Sequence, residues 1–438
     1  MFSIEEVLKS ARETRELAIG VNIIDTFPAL FAAQFPGKKA IIVADTTTFN
    51  VAGKTVSELL YNAGLAQDEP FVFAEPELHA EYHHVEQLLG VLTHTDAIPV
   101  AVGSGTINDL TKLAAYLSDR RYCSVATAAS MDGYTSFGAS ITYQDIKQNF
   151  DCPAPQAILA DIEIIRKAPA ALTASGYADL FAKVPAGADW ILADALGIEA
   201  IEPMTWSIVQ DGLRNALASP EGACAGEIAP ISSLIEGLML GGFAMQWSRK
   251  TRCASGAEHQ FSHLWDMEHH THNGKAPSHG FKVGIATLYI SALYEQLLNH
   301  PVDRLDIVSC CAKWPEWEQQ EERAKQLFAG TDLLEMVLTE LKNKYITREE
   351  LALQLSTFKA RWPEIKSRLS RQLFPFEEVK RRLQLAGAPV EPEDIGISRD
   401  RLRDSFFRAQ QIRSRFTILD LAVRMDCLDL WLKQIFDD

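Results

Sequence analysis

The chain has 438 residues, of which 47% are hydrophobic and 23% charged, and its formal net charge is -16. That length supports two domains with separate cores, and the mixture excludes disorder on a large scale. The acidity opposes nucleic acid and anionic lipid as partners, because both are held mainly by clustered Lys and Arg.

The opening MFSIEEVLKSARETRELAIG carries acidic residues where a signal peptide needs a basic flank and an unbroken apolar run, so no leader is expected. Residues 38 to 166 alternate short β-rich runs with helical stretches: KKAIIVAD, PFVFAE, IPVAVGSG, YCSVATAA and QAILADIEII have strand length and strand composition. This order predicts a parallel sheet with helices on its faces. From about Pro169 onward the spacing of apolar residues is near 3.6, as in YADLFAKVPAGADWILADALG and GIATLYISALYEQLLN, and strand signals vanish. The expected architecture is an α/β, Rossmann-like parallel-sheet domain over residues 1–168, followed by an all-α domain over residues 169–438. The stretch ISSLIEGLMLGGFAMQW is interrupted by Glu236 and reads as a buried helix, not a membrane span. Seven cysteines, at 123, 152, 224, 253, 310, 311 and 427, form no CxxC pair. They indicate neither a disulfide framework nor a zinc knuckle, and a soluble protein of the cytoplasm is expected.

Polar residues gather where the predicted strands end. In PVAVGSGTINDLTKLAAY, Gly103, Ser104 and Gly105 stand between a strand and a helix, where backbone N–H groups and the helix dipole can cradle a pyrophosphate. The run is not G-x-G-x-x-G, since Asn108 occupies the third glycine position, and a plain tight turn reads equally well. Asp45 closes the strand AIIVAD; it fits a carboxylate on an adenosine ribose, favouring NAD over NADP, and equally a helix N-cap. The run VATAASMDGYTSFGAS, with Asp132 among hydroxyls and small residues, can wrap a polar ligand.

The segment SGAEHQFSHLWDMEHHTHNGKAPSHG, residues 255–280, holds six of the eleven histidines. His259 and His263 are four apart and share a helix face. A metalloprotease is disfavoured, because in H-E-x-x-H the glutamate follows the first histidine, whereas here Gln260 follows and Glu258 precedes. His279 opens the next apolar helix. His269, His270 and His272 lie in a polar, Gly- and Pro-punctuated stretch and read as loop residues. A catalytic divalent ion wants three protein ligands and an open position, and no carboxylate near these histidines completes the set by spacing alone.

The segments GSGTINDLTK, TAASMDGYTSFGAS, SGYADLFAKVPAGADW, SGAEHQFSH and SHGFKVGIATLY, in this order, resemble the sn-glycerol-1-phosphate dehydrogenases. That family lies in the superfamily of iron-containing alcohol dehydrogenases, glycerol dehydrogenase and dehydroquinate synthase. The tail APVEPEDIGISRDRLRDSFFRAQQIRSRFTILDLA is similar to the bacterial, AraM-type branch. The resemblance implies a dehydroquinate synthase-like fold, NAD as cofactor and one divalent ion, nickel or zinc with iron as a further option. It implies Asp179, His259 and His279 as the metal ligands. It implies Asp132, Asp179 and His263 at the substrate, with Asp179 and His263 as the catalytic pair. Gly105, Thr106, Ile107, Asn108, Asp109, Thr127, Ala128, Ala129, Ser130 and Ser136 fall at its cofactor positions, and Asp45 joins them from its place at a strand end. Ser104 departs from the glycine run of many relatives, and the stretch between His259 and His279 is longer than in archaeal members.

The implied reaction is the reversible reduction of dihydroxyacetone phosphate to sn-glycerol 1-phosphate, by a homodimer acting on a small phosphorylated substrate. Arg249, Lys250, Arg252 and Lys282 are candidates for holding the phosphate. The rivals are a metal-dependent dehydrogenase of a free polyol such as glycerol, a dehydroquinate synthase-like cyclase, and a regulator without turnover.

Overall fold

All five apolar runs become strands of one sheet. The structure, a computed structural model, describes residues 4–66, 69–144 and 146–437. Strands β1 (Glu16–Gly20), β2 (Ala40–Asp45), β3 (Phe71–Phe73), β4 (Ile98–Gly103), β5 (Cys123–Ala126) and β8 (Ala157–Asp161) form a sheet in the order β1-β8-β5-β4-β2-β3. Every pairing in it is parallel. Strands β6 (Ala139–Tyr143) and β7 (Ile146–Phe150) form a separate antiparallel pair.

The run AIIVAD has no polar alternation because both faces of the sheet are covered. Ile41 and Val43 belong to one buried cluster with Val85, Leu88 and Leu110, while Ala40, Ile42 and Ala44 belong to another with Phe27, Phe31 and Val56. Successive side chains of a strand point to opposite faces, so a strand between two helical layers is apolar at every position.

The chain forms two compact units. The first consists of Met1–Leu180, Met204–Thr251 and Leu385–Gly387, the second of Phe181–Pro203, Arg252–Gln384 and Ala388–Asp438. In the first unit, helix α1 (Gly105–Leu117) follows β4 directly, helix α2 (Ala170–Phe181) follows the sheet, and helix α4 (Ile228–Ser248) packs on β1. By length and composition α4 could cross a membrane, but 56% of its most apolar window is buried within the protein. Its backbone also serves the fold, since Met239 O accepts from the Thr135 hydroxyl at 2.6 Å.

The second unit is built of helices and turns, with no strand among its described residues. Helix α3 (Lys183–Ala195) is buried along nearly its whole length. Helix α5 (Ala257–Met267) packs against α3, against helix α6 (His279–Asn299) and against the Arg399–Ala409 helix. The side chain of Ser278 accepts from Phe281 N at 3.2 Å and so caps α6, which makes His279 its first residue.

Candidate functional site

Three neighbouring strands, β5, β4 and β2, end in polar loops at one edge of the sheet. At the end of β4, Ser104 is the extended N-cap residue of α1 and makes no side-chain cap, so the first N–H groups of that helix are not capped by it. Asn108 is buried and engaged within the protein: its Oδ1 accepts from the Tyr122 hydroxyl at 3.1 Å and its Nδ2 donates to Gly133 O at 3.4 Å. Ile107 is core, and Asp109 accepts from Ser140 N at 3.1 Å. Burial pushes the Asp109 carboxyl above the ordinary carboxylate range, with Lys112 opposing the shift. Asp45 forms a capping box: it accepts from Thr48 N at 2.7 Å, and its own N–H donates to the Thr48 hydroxyl at 3.1 Å.

The loop after β5 is fixed largely by backbone contacts. Thr127 N donates to Gly103 O at 3.1 Å, and the Tyr134 hydroxyl donates to Ala128 O at 2.9 Å. Ala129 and Ser130 lie under α2, where Gly176 comes so close that a Cβ there would stand 1.9 Å from Ala129 O. Only glycine permits that approach. Ser136 bonds to Gly133 O at 3.1 Å, and the amide of Asp132 donates to Asp179 Oδ2 at 3.1 Å. Asp179 itself is fully buried near the end of α2.

The histidines divide into two groups. His259 and His263 lie one turn apart on α5 with ring centroids 6.3 Å apart, and the His259 and His279 rings are separated by 5.3 Å. His279 shares a 3.3 Å hydrogen bond with the Ser262 hydroxyl. Among the described residues, one group of metal-ligating type gathers tightly enough to hold an ion: Asp179, His259 and His279, whose ligand atoms all lie within 4.8 Å of one another. Two imidazoles and a carboxylate suit zinc, iron or nickel, and they leave positions for a substrate.

Of the three loop histidines, His270 is built into the framework. Buried His270 donates from Nε2 to Ile395 O at 2.7 Å and accepts at Nδ1 from Arg401 at 2.8 Å, and burial pushes its pKa down. His269 adopts a left-handed φ of 51°, and the His272 amide pairs with Lys275 O at 2.8 Å. The basic candidates also have partners. Arg249 pairs with Glu13, and Lys282 pairs with Asp266. Arg252 is buried, donating to Phe416 O at 2.8 Å and Asp189 O at 2.7 Å. Lys250 is exposed.

Three residues to which the sequence assigned no task support this arrangement. Lys112, with no exposed side-chain surface, donates to Gly133 O and Ser136 O at 3.0 Å and to Gly138 O at 2.9 Å. All three ammonium donors are thereby spent on the loop that carries Asp132 and Ser136. Asp189, on α3, accepts from Ala257 N at 2.7 Å, from the Tyr294 hydroxyl at 2.6 Å and from Ile418 N at 2.8 Å. Burial, and next the neighbouring Glu258 charge, push its carboxyl up to about 7. The third is Glu258, whose Oε1 accepts from His259 Nδ1 at 2.8 Å.

The fold, a parallel sheet with polar loops at one edge and a helix-rich remainder, is that of the iron-containing alcohol dehydrogenases. Residues 18–169 match the family model of that description. The fold is similar to that of a probable glycerol dehydrogenase from Sinorhizobium meliloti 1021, with a TM-score of 0.59 and 16% identity over 96% of this chain and 98% of that one. Within that class the sequence is nearer to one group. It is 34% identical to the glycerol-1-phosphate dehydrogenase, NAD(P)+, of Halalkalibacterium halodurans over 290 residues, 65% of this chain and 71% of that protein. It is 28% identical to the corresponding protein of Geobacillus thermodenitrificans over 386 residues, 87% of this chain and 86% of that one. The chain belongs to the glycerol-1-phosphate dehydrogenase family.

Proposed function

We propose that the chain is a metal-dependent sn-glycerol-1-phosphate dehydrogenase that uses NAD to interconvert dihydroxyacetone phosphate and sn-glycerol 1-phosphate. The observation that carries the reading is the convergence of Asp179, His259 and His279, with ligand atoms within 4.8 Å, in a chain of this family. In this reading residues 1–168 bind the cofactor and residues 169–438 supply the metal and substrate groups. The enzyme acts as a homodimer in the cytoplasm, as the family likeness implies.

The three residues would hold one divalent ion, nickel or zinc ahead of iron. When bound, that ion would polarise the C2 carbonyl while the nicotinamide supplies or takes up hydride at C2. The chain's own residues do the rest. The Asp132 amide fixes Asp179 by its 3.1 Å bond, so the substrate loop and the carboxylate are placed together. His263, one turn from His259 on α5, holds the substrate and passes a proton between its hydroxyl and solvent, for which an imidazole has the fitting pKa range. The start of α1, with Gly105 to Asp109, and the loop of Thr127 to Ser130 with Ser136 receive the cofactor's polar groups. Asp45, one carboxylate oxygen of which caps its helix, would offer the other to the adenosine ribose.

The test follows NADH absorbance with dihydroxyacetone phosphate, using protein stripped with a chelator and resupplied in turn with nickel, zinc and iron. Metal-dependent oxidation of NADH is expected. Turnover of glycerol equal to or better than that of sn-glycerol 1-phosphate in the reverse direction removes the phosphate claim, and turnover without net change in NADH replaces it with a cyclase.

A further inference from the structure

Glu258 entered the sequence reading only as the acid that spoils a metalloprotease motif, but its environment gives it a task. The side chain is fully buried. Its Oε1 lies 2.8 Å from His259 Nδ1 and 2.6 Å from Gly256 N. A carboxylate oxygen can only accept here, so the hydrogen of the His259 ring sits on Nδ1 and the lone pair on Nε2. The second oxygen, Oε2, is buried with no hydrogen-bond partner. A buried carboxylate left half satisfied is costly, and such a cost is retained where the charge serves something else.

The surroundings hold this carboxylate in place. A Cβ on Gly256 would stand 2.8 Å from Glu258 Oε2 and 2.6 Å from Asp189 Oδ2, so two carboxylates press against one residue that must be glycine. Asp189 meanwhile binds Ala257 N, at the first position of α5, and fixes where the helix begins. Glu258 and His259 are therefore set by backbone contacts before any ligand arrives.

We infer that Glu258 is a positioning residue for the metal centre: its carboxylate fixes the tautomer and ring orientation of His259 and adds negative charge behind the ligating imidazole. The inference rests on the reading of His259 as a ligand. Such outer carboxylates orient metal-binding histidines and raise their basicity, and their loss weakens metal affinity by about 10–100-fold.

The test measures the dissociation constant of zinc by competition with a chromophoric chelator, on full-length wild type, Glu258→Gln, Glu258→Ala and His259→Ala, with melting temperatures of the metal-free proteins alongside. Glu258→Gln keeps the volume and an acceptor for His259 but removes the charge. It should bind zinc about 10-fold more weakly, and Glu258→Ala about 100-fold more weakly, while metal-free Glu258→Gln melts with the wild type. Zinc affinity of Glu258→Gln within about twofold of wild type overturns the inference, provided His259→Ala abolishes binding. If His259→Ala binds zinc like the wild type, the ligand assignment itself fails and the inference falls with it.

Discussion

Lys112 shows how one buried residue can order a loop far from it in sequence. Its ammonium, enclosed by Gly133 O, Ser136 O and Gly138 O at 2.9–3.0 Å, lies 3.8 Å from Asp109. A buried charge is tolerated when each of its donors is satisfied, and here satisfaction also pins the loop from Gly133 to Gly138. Lys112→Met takes a donor from three carbonyl oxygens, of which Gly133 O keeps Asn108 Nδ2 and the Ser136 hydroxyl, and each buried group left unsatisfied costs about 1–3 kcal/mol. The expected result is faster amide hydrogen exchange across residues 132–139 and a raised KM for NADH. Unchanged exchange in that loop would count against the role. Nothing in TINDLTKLAAY announced it: a lysine seven residues into a helix looks like solvated surface, and its partners lie more than 20 residues away. Glu258 and Asp189 were hidden for the same reason, because a buried acid is recognised by what folds around it. The shared helix face of His259 and His263 and the place of His279 at a helix start were legible because both signals are local, whereas the roles of these histidines came through family likeness. Asp179 came only through family likeness, since no local pattern ties a carboxylate 80 residues upstream to two imidazoles.

At the level of elements, β2, β4, β5 and β8 could be read because a strand buried on both faces is an uninterrupted apolar run, and the edge strand β3, FVF, could be read from its aromatic and β-branched composition. Strand β1 escaped because it is an edge strand of five residues, ELAIG, of which only Leu17 is buried. The hairpin of β6 and β7 escaped because its second strand, IKQNF, has few apolar residues and no tight-turn signature leads into it. Helices were legible throughout, but not the contacts that fix their ends. Asp189 ties α3 to the start of α5, to Tyr294 on α6 and to Ile418 near the chain's end. Asp189→Asn presents an amide N–H to one of these donors, and an unsatisfied buried group costs about 1–3 kcal/mol. The loss should depend on pH. The folded-state carboxyl is raised from 3.8 to about 7, so the native protein binds this proton more tightly than the unfolded chain does. The stability it confers is complete below pH 4 and fades as pH rises through 7. The gap in melting temperature between wild type and Asp189→Asn should therefore be wider at pH 5 than at pH 8. A gap that widens with pH would mean the carboxylate is stabilised in its charged form by the three donors.

For the whole molecule, the net charge of -16 favours a cation as ligand, and among the described residues Asp179, His259 and His279 form a group able to hold one. A ligand that binds only the folded chain stabilises it by RT ln(1 + [L]/Kd), about 2.7 kcal/mol at 100 times Kd. Unfolding entropy scales with length, about 2.1 cal/mol/K per residue, so a chain of 438 residues loses or gains only about 1 °C per kcal/mol. Removing the ion with a chelator should thus lower the melting temperature by about 3 °C, and re-addition of zinc or nickel should restore it. The size of the shift matters less than its origin. In Asp179→Ala and in His279→Ala the metal-dependent part should vanish, whereas substituting Cys224, an exposed thiol outside the ligand set, should leave it intact. Calorimetry on the four proteins with and without chelator separates these outcomes. A shift that persists undiminished in both ligand variants would place the stabilising cation elsewhere on this acidic surface.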